Sequence, residues 1–489
     1  MSSSITQNPL YYLINPRGIA FFGASNNFIN MGTMILNSVL NMGYEGQIYP
    51  IHPKESTVLG LTAYTAIDQT PQAPDLAILV LPTKIVGDVL EQCGRRGVKN
   101  AVVVSGGFQE SGPEGAAMQE RLMRIAEQYG MRFLGPNCLG VANPHCKINT
   151  TPLPYECGPG FIGLASQSGS FVTQMYDQLR RLSLGFSTAL SVGNEANVDL
   201  VDCLEYLGDD PHTKVIGMYV ETIRRGRRFV EVARRVALKK PIVAFYVGGS
   251  ETGRRAALSH TGALAGPDKL YDGILRQAGV IRAQTITELF DFCWALGSLP
   301  LPAGPNAVIQ TDSGGPGAAA ADACERSGLK LPPLGPSTIE LLRPLVPHTG
   351  SLGNPVDITF PREFRNYYWD IPDALLRDEN IHALLIYFVL PVELIYPSIA
   401  AQGLPVSEAK RQAVELVSGL LDQTRSLIDV HGKPVVGYSF NSLEQEPLRG
   451  LIARGMPVLS SPQRAARAVA AMSQYARLRQ KLIAQGQTA

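Results

Sequence analysis

The stretch GIAFFGASNN, residues 18–27, indicates how the first part of the chain folds. Five mostly apolar residues run into a turn of small side chains, Gly23, Ala24 and Ser25, and a helical pattern follows. A buried strand that passes through such a turn into a helix is typical of a doubly wound α/β sheet. The turn also presents backbone N–H groups at a helix start, where phosphate binds well, although an ordinary tight turn has the same pattern.

The strand–turn–helix pattern recurs along the whole chain. In the first part it continues with the apolar runs GQIYPIHP, DLAILVLP, NAVVVSGG and MRFLGPN. A second set runs from FIGLASQSG to PIVAFYVGG and ends near Leu296, where a Pro- and Gly-rich linker precedes a third set that begins with AVIQTDSGG. Alternating strands and helices predict parallel sheets. We therefore predict an α/β protein of three consecutive domains, at residues 8–143, 150–298 and 305–480.

Composition excludes several classes of protein. The 489 residues are 45% hydrophobic and 17% charged, with a net charge of +1, which argues against disorder and against nucleic-acid binding. No apolar run is long enough to span a membrane, and no signal peptide is visible at the start, so we expect a cytoplasmic protein. The seven cysteines and seven histidines lack metal-ligand spacing, which predicts no metal site on this chain.

The residue at the end of the second predicted strand bears on the cofactor. An NAD site needs an acidic side chain there to bind the ribose, whereas the sequence IHPKE provides Lys54. A cation suits an additional phosphate, such as the one on NADP or the 3′-phosphate of coenzyme A. The residues themselves leave both cofactors open.

Two further turns predict anion sites at helix starts. In LASQSGS, Ser166, Ser168 and Gly169 lie between a strand and a helical pattern, and in TDSGGPG, residues 311–317, glycines occupy the same position. Two positive helix ends on different domains can both face one phosphoryl group. A plain N-cap and a glycine turn are the structural alternatives. The stretch GGSETGRR has P-loop glycine spacing but Arg254 in place of the required lysine, so we reject it as a nucleotide site.

His260 lies in GRRAALSHTGALAG, residues 253–266, among side chains small enough for a ligand to approach closely. Together with two anion sites, this favours a nucleophilic histidine that accepts a phosphoryl group, the alternative being a structural histidine. A phosphohistidine needs an acceptor for its other ring nitrogen. Glu221, which ends the predicted strand GMYVE, is the best carboxylate, unless it is a surface charge at a strand end.

The chain resembles the α subunits of ADP-forming (NDP-forming) acyl-CoA synthetases, which are relatives of succinyl-CoA synthetase. The resemblance extends over about residues 8–480, and four motifs carry it: GPNCLG (135–140), ASQSGS (165–170), SHTGALAG (259–266) and GNPVDIT (353–359). It implies an N-terminal Rossmann-like CoA-binding domain followed by two flavodoxin-like, succinyl-CoA synthetase-like domains.

The resemblance also implies roles for individual residues. His260 corresponds to the phosphorylated histidine and Glu221 to its supporting carboxylate, with Glu195 as the weaker candidate. The implied CoA-binding residues are Gly23, Ala24, Ser25, Lys54, Pro82, Ser105 and Asn137. The implied phosphate-binding residues are Ser166, Gln167, Ser168, Gly169, Gly314, Gly315 and Gly317.

The implied reaction is acid + CoA + ATP ⇌ acyl-CoA + ADP + phosphate, through an acyl phosphate and a phosphohistidine. Nothing in the sequence resembles the ATP-grasp module that binds the nucleotide. We therefore expect a separate ATP-grasp β subunit that supplies the ATP/ADP and Mg²⁺ site, in a hetero-oligomer such as α2β2. The alternatives are a CoA-binding, acyl-transferring relative without ATP chemistry and an NADP-dependent oxidoreductase. The aromatic segment FPREFRNYYWDIP, residues 360–372, departs from the family pattern and could alter which acid fits.

Overall fold

The structure is a computed structural model that describes residues 5–252, 266–359, 363–388 and 391–486. The chain forms two compact units. The first comprises Met1–Arg180 and Leu184–Gln284, and the second comprises Thr285–Gly486 with Arg181–Ser183. Each unit is built on parallel β-sheets.

The first unit contains two sheets, of which the N-terminal one has five parallel strands in the order β2-β1-β5-β6-β7. The strands are β1 (Gly18–Phe22), β2 (Gln47–Ile51), β5 (Leu76–Leu79), β6 (Asn100–Val103) and β7 (Arg132–Leu134), while β3 (Thr57–Val58) and β4 (Leu61–Thr62) form a separate hairpin. The helices are α1 (Tyr11–Ile14), α2 (Met31–Asn41), α3 (Thr83–Arg96) and α4 (Pro113–Tyr129). Every residue of β1, β5 and β6 is buried, which is why these strands read as continuous apolar runs.

The second sheet of this unit has seven strands in the order β14-β13-β12-β10-β11-β8-β9. They are β8 (Gly140–Asn143), β9 (Ile148–Asn149), β10 (Ile162–Ser166), β11 (Phe186–Ser191), β12 (Val215–Val220), β13 (Ile242–Tyr246) and β14 (Ile281–Ala283). Strands β8 and β9 are antiparallel and lie at one side, and the other five are parallel. The helices are α5 (Gly169–Arg181), α6 (Leu200–Asp209), α7 (Gly226–Ala237) and α8 (Asp268–Ala278).

The second unit contains a five-stranded parallel sheet in the order β16-β15-β17-β18-β19. The strands are β15 (Ala307–Thr311), β16 (Val356–Asp357), β17 (Ala383–Tyr387), β18 (Val435–Tyr438) and β19 (Val458–Leu459). The helices are α9 (Ile286–Ser298), α10 (Gly314–Arg326), α11 (Pro336–Leu342), α12 (Ile371–Arg377), α13 (Pro391–Ala400), α14 (Val406–His431), α15 (Leu448–Ala453) and α16 (Pro462–Ala484). Helix α9 is tied to α16 by a pair between Arg464 and the buried Asp291, 2.6 Å apart.

Short helical turns complete the described parts of both units. The 3₁₀ turns are Ile5–Gln7, Ile67–Gln69, Gln109–Ser111 and Pro144–Cys146, and Asn366–Asp370 forms a π-helical turn. None of the helices that the structure describes is both long and apolar enough to cross a bilayer.

The parallel strands of all three sheets follow the same order. Counted along the chain within each sheet, they are arranged 2-1-3-4-5, so the chain moves to one side after the first strand and to the other side after the second. In doubly wound sheets, ligands bind at the carboxyl ends of the strands on either side of this switch point. The switch points lie between β1 and β5, between β10 and β12, and between β15 and β17.

The predicted fold class is confirmed, and the long apolar runs are strands where the sequence places them. The prediction omitted seven short strands, β3, β4, β8, β9, β14, β16 and β19, of two to four residues each. The domain boundaries at 8–143, 150–298 and 305–480 stay predictions. In the aromatic segment 360–372, Tyr367 and Tyr368 are fully buried, so both rings belong to the core of the second unit.

Candidate active site

The predicted CoA-binding residues lie at one edge of the first sheet. Each follows the carboxyl end of a strand, and because the strands are parallel these ends share an edge. They are Gly23, Ala24 and Ser25 after β1, Lys54 after β2, Pro82 after β5, Ser105 after β6 and Asn137 after β7. The structure therefore brings all seven residues to the edge that carries the switch point.

The turn after β1 is fixed by close backbone packing. Gly23 has a φ of +94°, and a Cβ on it would lie 1.9 Å from the carbonyl oxygen of Val80. The hydroxyl of Thr33 accepts a hydrogen bond from the N–H of Ser25 at 3.0 Å and donates to its carbonyl at 2.9 Å. Only glycine fits at the first position, and the turn is held against the first helical turn of α2.

Lys54 is exposed, and the segment around it is joined to the turn after β1. The side-chain amide of Asn26 donates to Glu55 Oε2 at 2.6 Å and to the carbonyl of Thr57 at 2.9 Å. The loops that follow β1 and β2 therefore form one hydrogen-bonded surface. Lys54 belongs to the second of these loops, next to Glu55 in the chain.

Ser105 and Asn137 connect the loops that follow β5, β6 and β7. Ser105 Oγ donates to the carbonyl of Leu81 at 2.5 Å and accepts from its N–H at 3.0 Å. The N–H of Asn137, which has a φ of +59°, donates to the carbonyl of Ser105 at 2.9 Å. Pro82 lies next to Leu81, at the residue that precedes α3. These contacts hold the three predicted residues close together.

The second predicted site lies at the switch point between β10 and β12. Ser166 ends β10, and its Oγ donates to the carbonyl of Ser168 at 2.7 Å, which shapes the turn into α5. Helix α5 begins at Gly169, where a Cβ would approach Leu139 Cγ to 3.0 Å. Glu221 directly follows β12 and is 6% exposed. The helix start and the predicted carboxylate thus lie at the same edge of the second sheet.

Gln167 connects these two strand ends. Its Oε1 accepts from the N–H groups of Glu221 at 2.5 Å and Thr222 at 3.0 Å. Its Nε2 donates to Glu195 Oε2 at 2.7 Å and to the carbonyl of Thr222 at 3.0 Å. The side chain of Gln167 therefore forms hydrogen bonds with both the loop after β11 and the loop after β12.

Glu195 lies in the same cluster, in a loop that packs against the end of β10. It is 5% exposed, has a φ of +52°, and its Oε1 accepts from the N–H of Leu200 at 2.8 Å. Burial raises the pKa of Glu195 to about 7, although the Leu200 N–H, the Arg224 guanidinium and the Gln167 amide act in the opposite direction. A buried carboxyl group that titrates near neutral pH is a common feature of functional sites.

Sequence reasoning missed Arg224. Its guanidinium donates to the carbonyls of Asn194 at 2.9 Å and Glu195 at 3.2 Å, and its Nε lies 3.7 Å from Glu195 Oε2. The available signal was the pair of arginines, Arg224 and Arg225, that begins four residues after the end of β12. A cation here stabilises the ionised form of the buried Glu195 carboxyl group.

A hydrogen bond between Asn194 and Glu110 joins the edges of the two sheets in the first unit. The sequence analysis missed both residues. Asn194 Nδ2 donates to Glu110 Oε2 at 2.5 Å and to Gln119 Oε1 at 3.1 Å, and Asn137 Nδ2 donates to Asn194 Oδ1 at 3.4 Å. Burial opposes ionisation of Glu110, but its hydrogen bonds from Asn194 and from the backbone N–H of Gly107 outweigh burial and lower its pKa. The loop that contains Asn194 and Glu195 thus contacts both predicted sites.

His260 lies in residues 253–265, outside the described residues. The residue that follows them, Gly266, accepts a hydrogen bond through its carbonyl from Tyr246 Oη at 2.7 Å. Tyr246 ends β13 and is in register with Val220, the residue before Glu221. Gly266 therefore lies near the edge of the sheet that carries Glu221.

In the second unit, Gly314, Gly315 and Gly317 form the first turn of α10, at the carboxyl end of β15. Two carboxylates lie beside this helix start. A Cβ on Gly314 would lie 3.5 Å from Asp357 Oδ2, and burial together with the charge of Asp357 raises the pKa of Asp312. An anion that binds at this helix start therefore has two acidic neighbours.

An aromatic row extends from the same helix start. Tyr438 Oη donates to the carbonyl of Pro316 at 3.2 Å, the Tyr387 ring lies 5.4 Å from the Tyr438 ring, and the Phe440 ring lies 5.5 Å from that of Tyr387. Phe440 is 58% exposed, so the outer end of the row is open to solvent.

Three domain families match the chain in succession. Residues 17–144 match the CoA binding domain, residues 159–296 match the succinyl-CoA ligase like flavodoxin domain, and residues 307–417 match the Ligase-CoA domain.

Relatives match nearly the whole chain. The α subunit of ADP-forming acetate–CoA ligase II from Pyrococcus furiosus is 37% identical over 470 residues, which cover 96% of this chain and 98% of that subunit. ADP-forming acetate–CoA ligase I from Archaeoglobus fulgidus is 36% identical and covers 96% of this chain, but the match covers only 64% of that longer protein. A dinucleotide-forming acetyl-coenzyme A synthetase 1 from Ca. Korarchaeum cryptofilum, solved with phosphate and ADP, superimposes with a TM-score of 0.87 at 32% identity over 99% of this chain and 100% of that one.

Proposed function

Because the chain belongs to the α subunits of ADP-forming acyl-CoA synthetases and is an acid–CoA ligase, we propose that the edges of its first and second sheets carry out different parts of the reaction. The edge of the first sheet binds CoA, and the edge of the second sheet carries phosphoryl transfer through His260. The observation that carries this proposal is the position of Glu221, which Gln167 holds at the switch point of the second sheet, near Gly266.

In the direction of acyl-CoA cleavage, an oxygen of phosphate attacks the thioester carbonyl, the C–S bond breaks, and CoA leaves as the thiol while an acyl phosphate forms. A ring nitrogen of His260 then attacks phosphorus, the P–O bond to the acyl group breaks, and the carboxylate leaves. Glu221 accepts a hydrogen bond from the other ring nitrogen and stabilises the imidazolium that this step creates. The start of α5 at Gly169 offsets the charge of the phosphoryl group.

For CoA, we propose that the turn at Gly23, Ala24 and Ser25 binds the diphosphate and that Lys54 binds the 3′-phosphate. The support is geometric, since the turn and Lys54 belong to the loops after β1 and β2, which the hydrogen bond between Asn26 and Glu55 joins. Pro82, Ser105 and Asn137 line the continuation of this edge toward the second site.

We further propose that a separate ATP-grasp β subunit supplies the nucleotide and Mg²⁺ site. Two Pyrococcus furiosus relatives that match this chain along 98% of their length are named α subunits, and the longer Archaeoglobus fulgidus ligase has a third of its length unmatched. The phosphoryl group on His260 would then pass to ADP held by that partner.

Phosphorylation from ATP tests the proposal. The chain is mixed with an ATP-grasp subunit, Mg²⁺ and ATP labelled at the γ-phosphate, and protein-bound label is measured at acidic and at alkaline pH. We expect a label that acid removes and base does not, as for a phosphoramidate, and we expect none on the His260→Asn variant. A label that survives this substitution contradicts the histidine assignment. CoA binding by the variant, measured by calorimetry, shows that it is folded.

A further inference from the structure

Every hydrogen-bonding position of the Gln167 side chain is used within the protein. A glutamine amide has two N–H donors and an oxygen that accepts two hydrogen bonds. The donors go to Glu195 and the Thr222 carbonyl, and the oxygen accepts from the N–H groups of Glu221 and Thr222. The backbone N–H of Gln167 also donates to the carbonyl of Tyr219, at 3.2 Å. No donor of this residue is left for a substrate phosphate.

Glu195 is itself fixed on the side away from Gln167. One of its carboxylate oxygens accepts from Leu200 N–H, at 2.8 Å, while the other faces Gln167. Its backbone is in the left-handed region, with a φ of +52°, and its carbonyl accepts from Arg224. A non-glycine residue is held in this conformation only where its surroundings stabilise it. Glu195 is therefore a fixed anchor for the Gln167 amide.

From these contacts we propose that Gln167 and Glu195 are positioning residues that act on the reaction through Glu221 and do not touch phosphate. Glu195 holds Gln167, and Gln167 holds the backbone of Glu221 and Thr222. This inference rests on the proposed function, because it concerns the carboxylate that supports His260. Displacing such a group by about 1 Å can cost on the order of a hundredfold in rate.

Exchanging the two side chains tests the proposal. In Gln167→Glu alone, a carboxylate faces the Glu195 carboxylate across a contact that is 2.7 Å in the native chain. In Glu195→Gln alone, one amide N–H group faces another. In the double variant, an amide at position 195 can donate to a carboxylate at position 167, which still accepts from the N–H groups of Glu221 and Thr222. Only the donor to the Thr222 carbonyl is lost.

The readout is the half-reaction of the chain with acyl-CoA and labelled inorganic phosphate, which puts the label on His260. We expect each single exchange to lower the rate constant of labelling by on the order of a hundredfold, with the KM for phosphate little changed. The double variant recovers about tenfold or more of that loss, as expected for two side chains in direct contact. Gln174→Glu, the same substitution at an exposed position of α5, is the control and labels like the wild type.

Three results would overturn the inference. A double variant no faster than the slower single variant excludes the contact as the cause. A raised KM for phosphate with an unchanged rate constant in Gln167→Glu identifies Gln167 as a phosphate ligand. Full activity of Glu195→Gln removes its role. If instead the wild-type chain acquires no label on His260, the proposed function itself fails, and this outcome is distinct from the other three.

Discussion

Asn194 and Glu110 are joined by a hydrogen bond of 2.5 Å from Nδ2 of the first to Oε2 of the second. Asn194 follows β11 in the second sheet, and Glu110 follows β6 in the first. The edge proposed to bind CoA and the edge proposed to carry phosphoryl transfer therefore meet within one compact unit. An acyl phosphate forms only where the thioester and phosphate meet. We therefore expect the reaction to take place where these two edges come together.

Replacing Glu221 by glutamine should abolish most phosphoryl transfer. Glutamine keeps the shape of the side chain but loses the charge that stabilises the imidazolium, and losing an orienting carboxylate of this kind can cost on the order of a thousandfold or more. The rate of His260 labelling measures the effect, with Glu231→Gln at an exposed position of α7 as the control. If Glu221→Gln is fully active while Glu195→Gln is inactive, Glu195 is the supporting carboxylate.

Gly23→Ala should weaken CoA binding strongly. The added Cβ would lie 1.9 Å from the Val80 carbonyl oxygen, so the phosphate-binding turn has to move. Gly130→Ala is the matched control, because Gly130 also has a positive φ, of +62°, but a Cβ there meets nothing within 4 Å. Calorimetry should show a lower CoA affinity only for Gly23→Ala, while Gly130→Ala loses about 1 kcal/mol of stability. Equal CoA affinities in the two variants would contradict the assignment of the turn.

Lys54→Ala should lower the affinity for CoA by roughly 1–3 kcal/mol, the range for a charge-assisted hydrogen bond. The loss should be smaller for dephospho-CoA, which lacks the 3′-phosphate that Lys54 is proposed to bind. Lys481→Ala, at an exposed position in α16, is the control.

The chain alone should bind CoA but not NADPH, ADP or ATP. Tight NADPH binding without CoA binding would contradict the assignment of this edge to CoA.

The raised pKa of Glu195 predicts how stability depends on pH. Because the folded chain binds this proton more tightly than the unfolded chain, stability falls as pH rises from the ordinary carboxyl pKa of about 4.3 to the folded value of about 7, and the loss is complete above that pH. Glu195→Gln has no such proton. Between pH 4 and pH 8 the wild type should therefore lose about 3 kcal/mol relative to this variant in the free energy of unfolding. If the difference in the free energy of unfolding between the wild type and Glu195→Gln stays constant with pH, the raised pKa of Glu195 is contradicted.

The sheets were predictable because strands such as β1 and β12 are buried on both faces and have no polar alternation to obscure them. The turns after β1, β10 and β15 were predictable from small residues that precede helices. Two-residue strands such as β16 contain too few side chains to form a pattern. The contact between Gln167 and Glu195 joins residues 28 positions apart and depends on the left-handed backbone of Glu195, which no local pattern indicates.

The half-reaction without nucleotide tests the central claim most directly. The chain is incubated with an acyl-CoA and labelled inorganic phosphate in the absence of ATP and ADP, and the labelled residue is identified by peptide mass spectrometry. We predict one phosphoryl group on His260 and one equivalent each of free CoA and carboxylate, whereas His260→Asn acquires no covalent phosphoryl group and releases no carboxylate. A covalent label on another residue, or carboxylate release at the wild-type rate from His260→Asn, would contradict this mechanism.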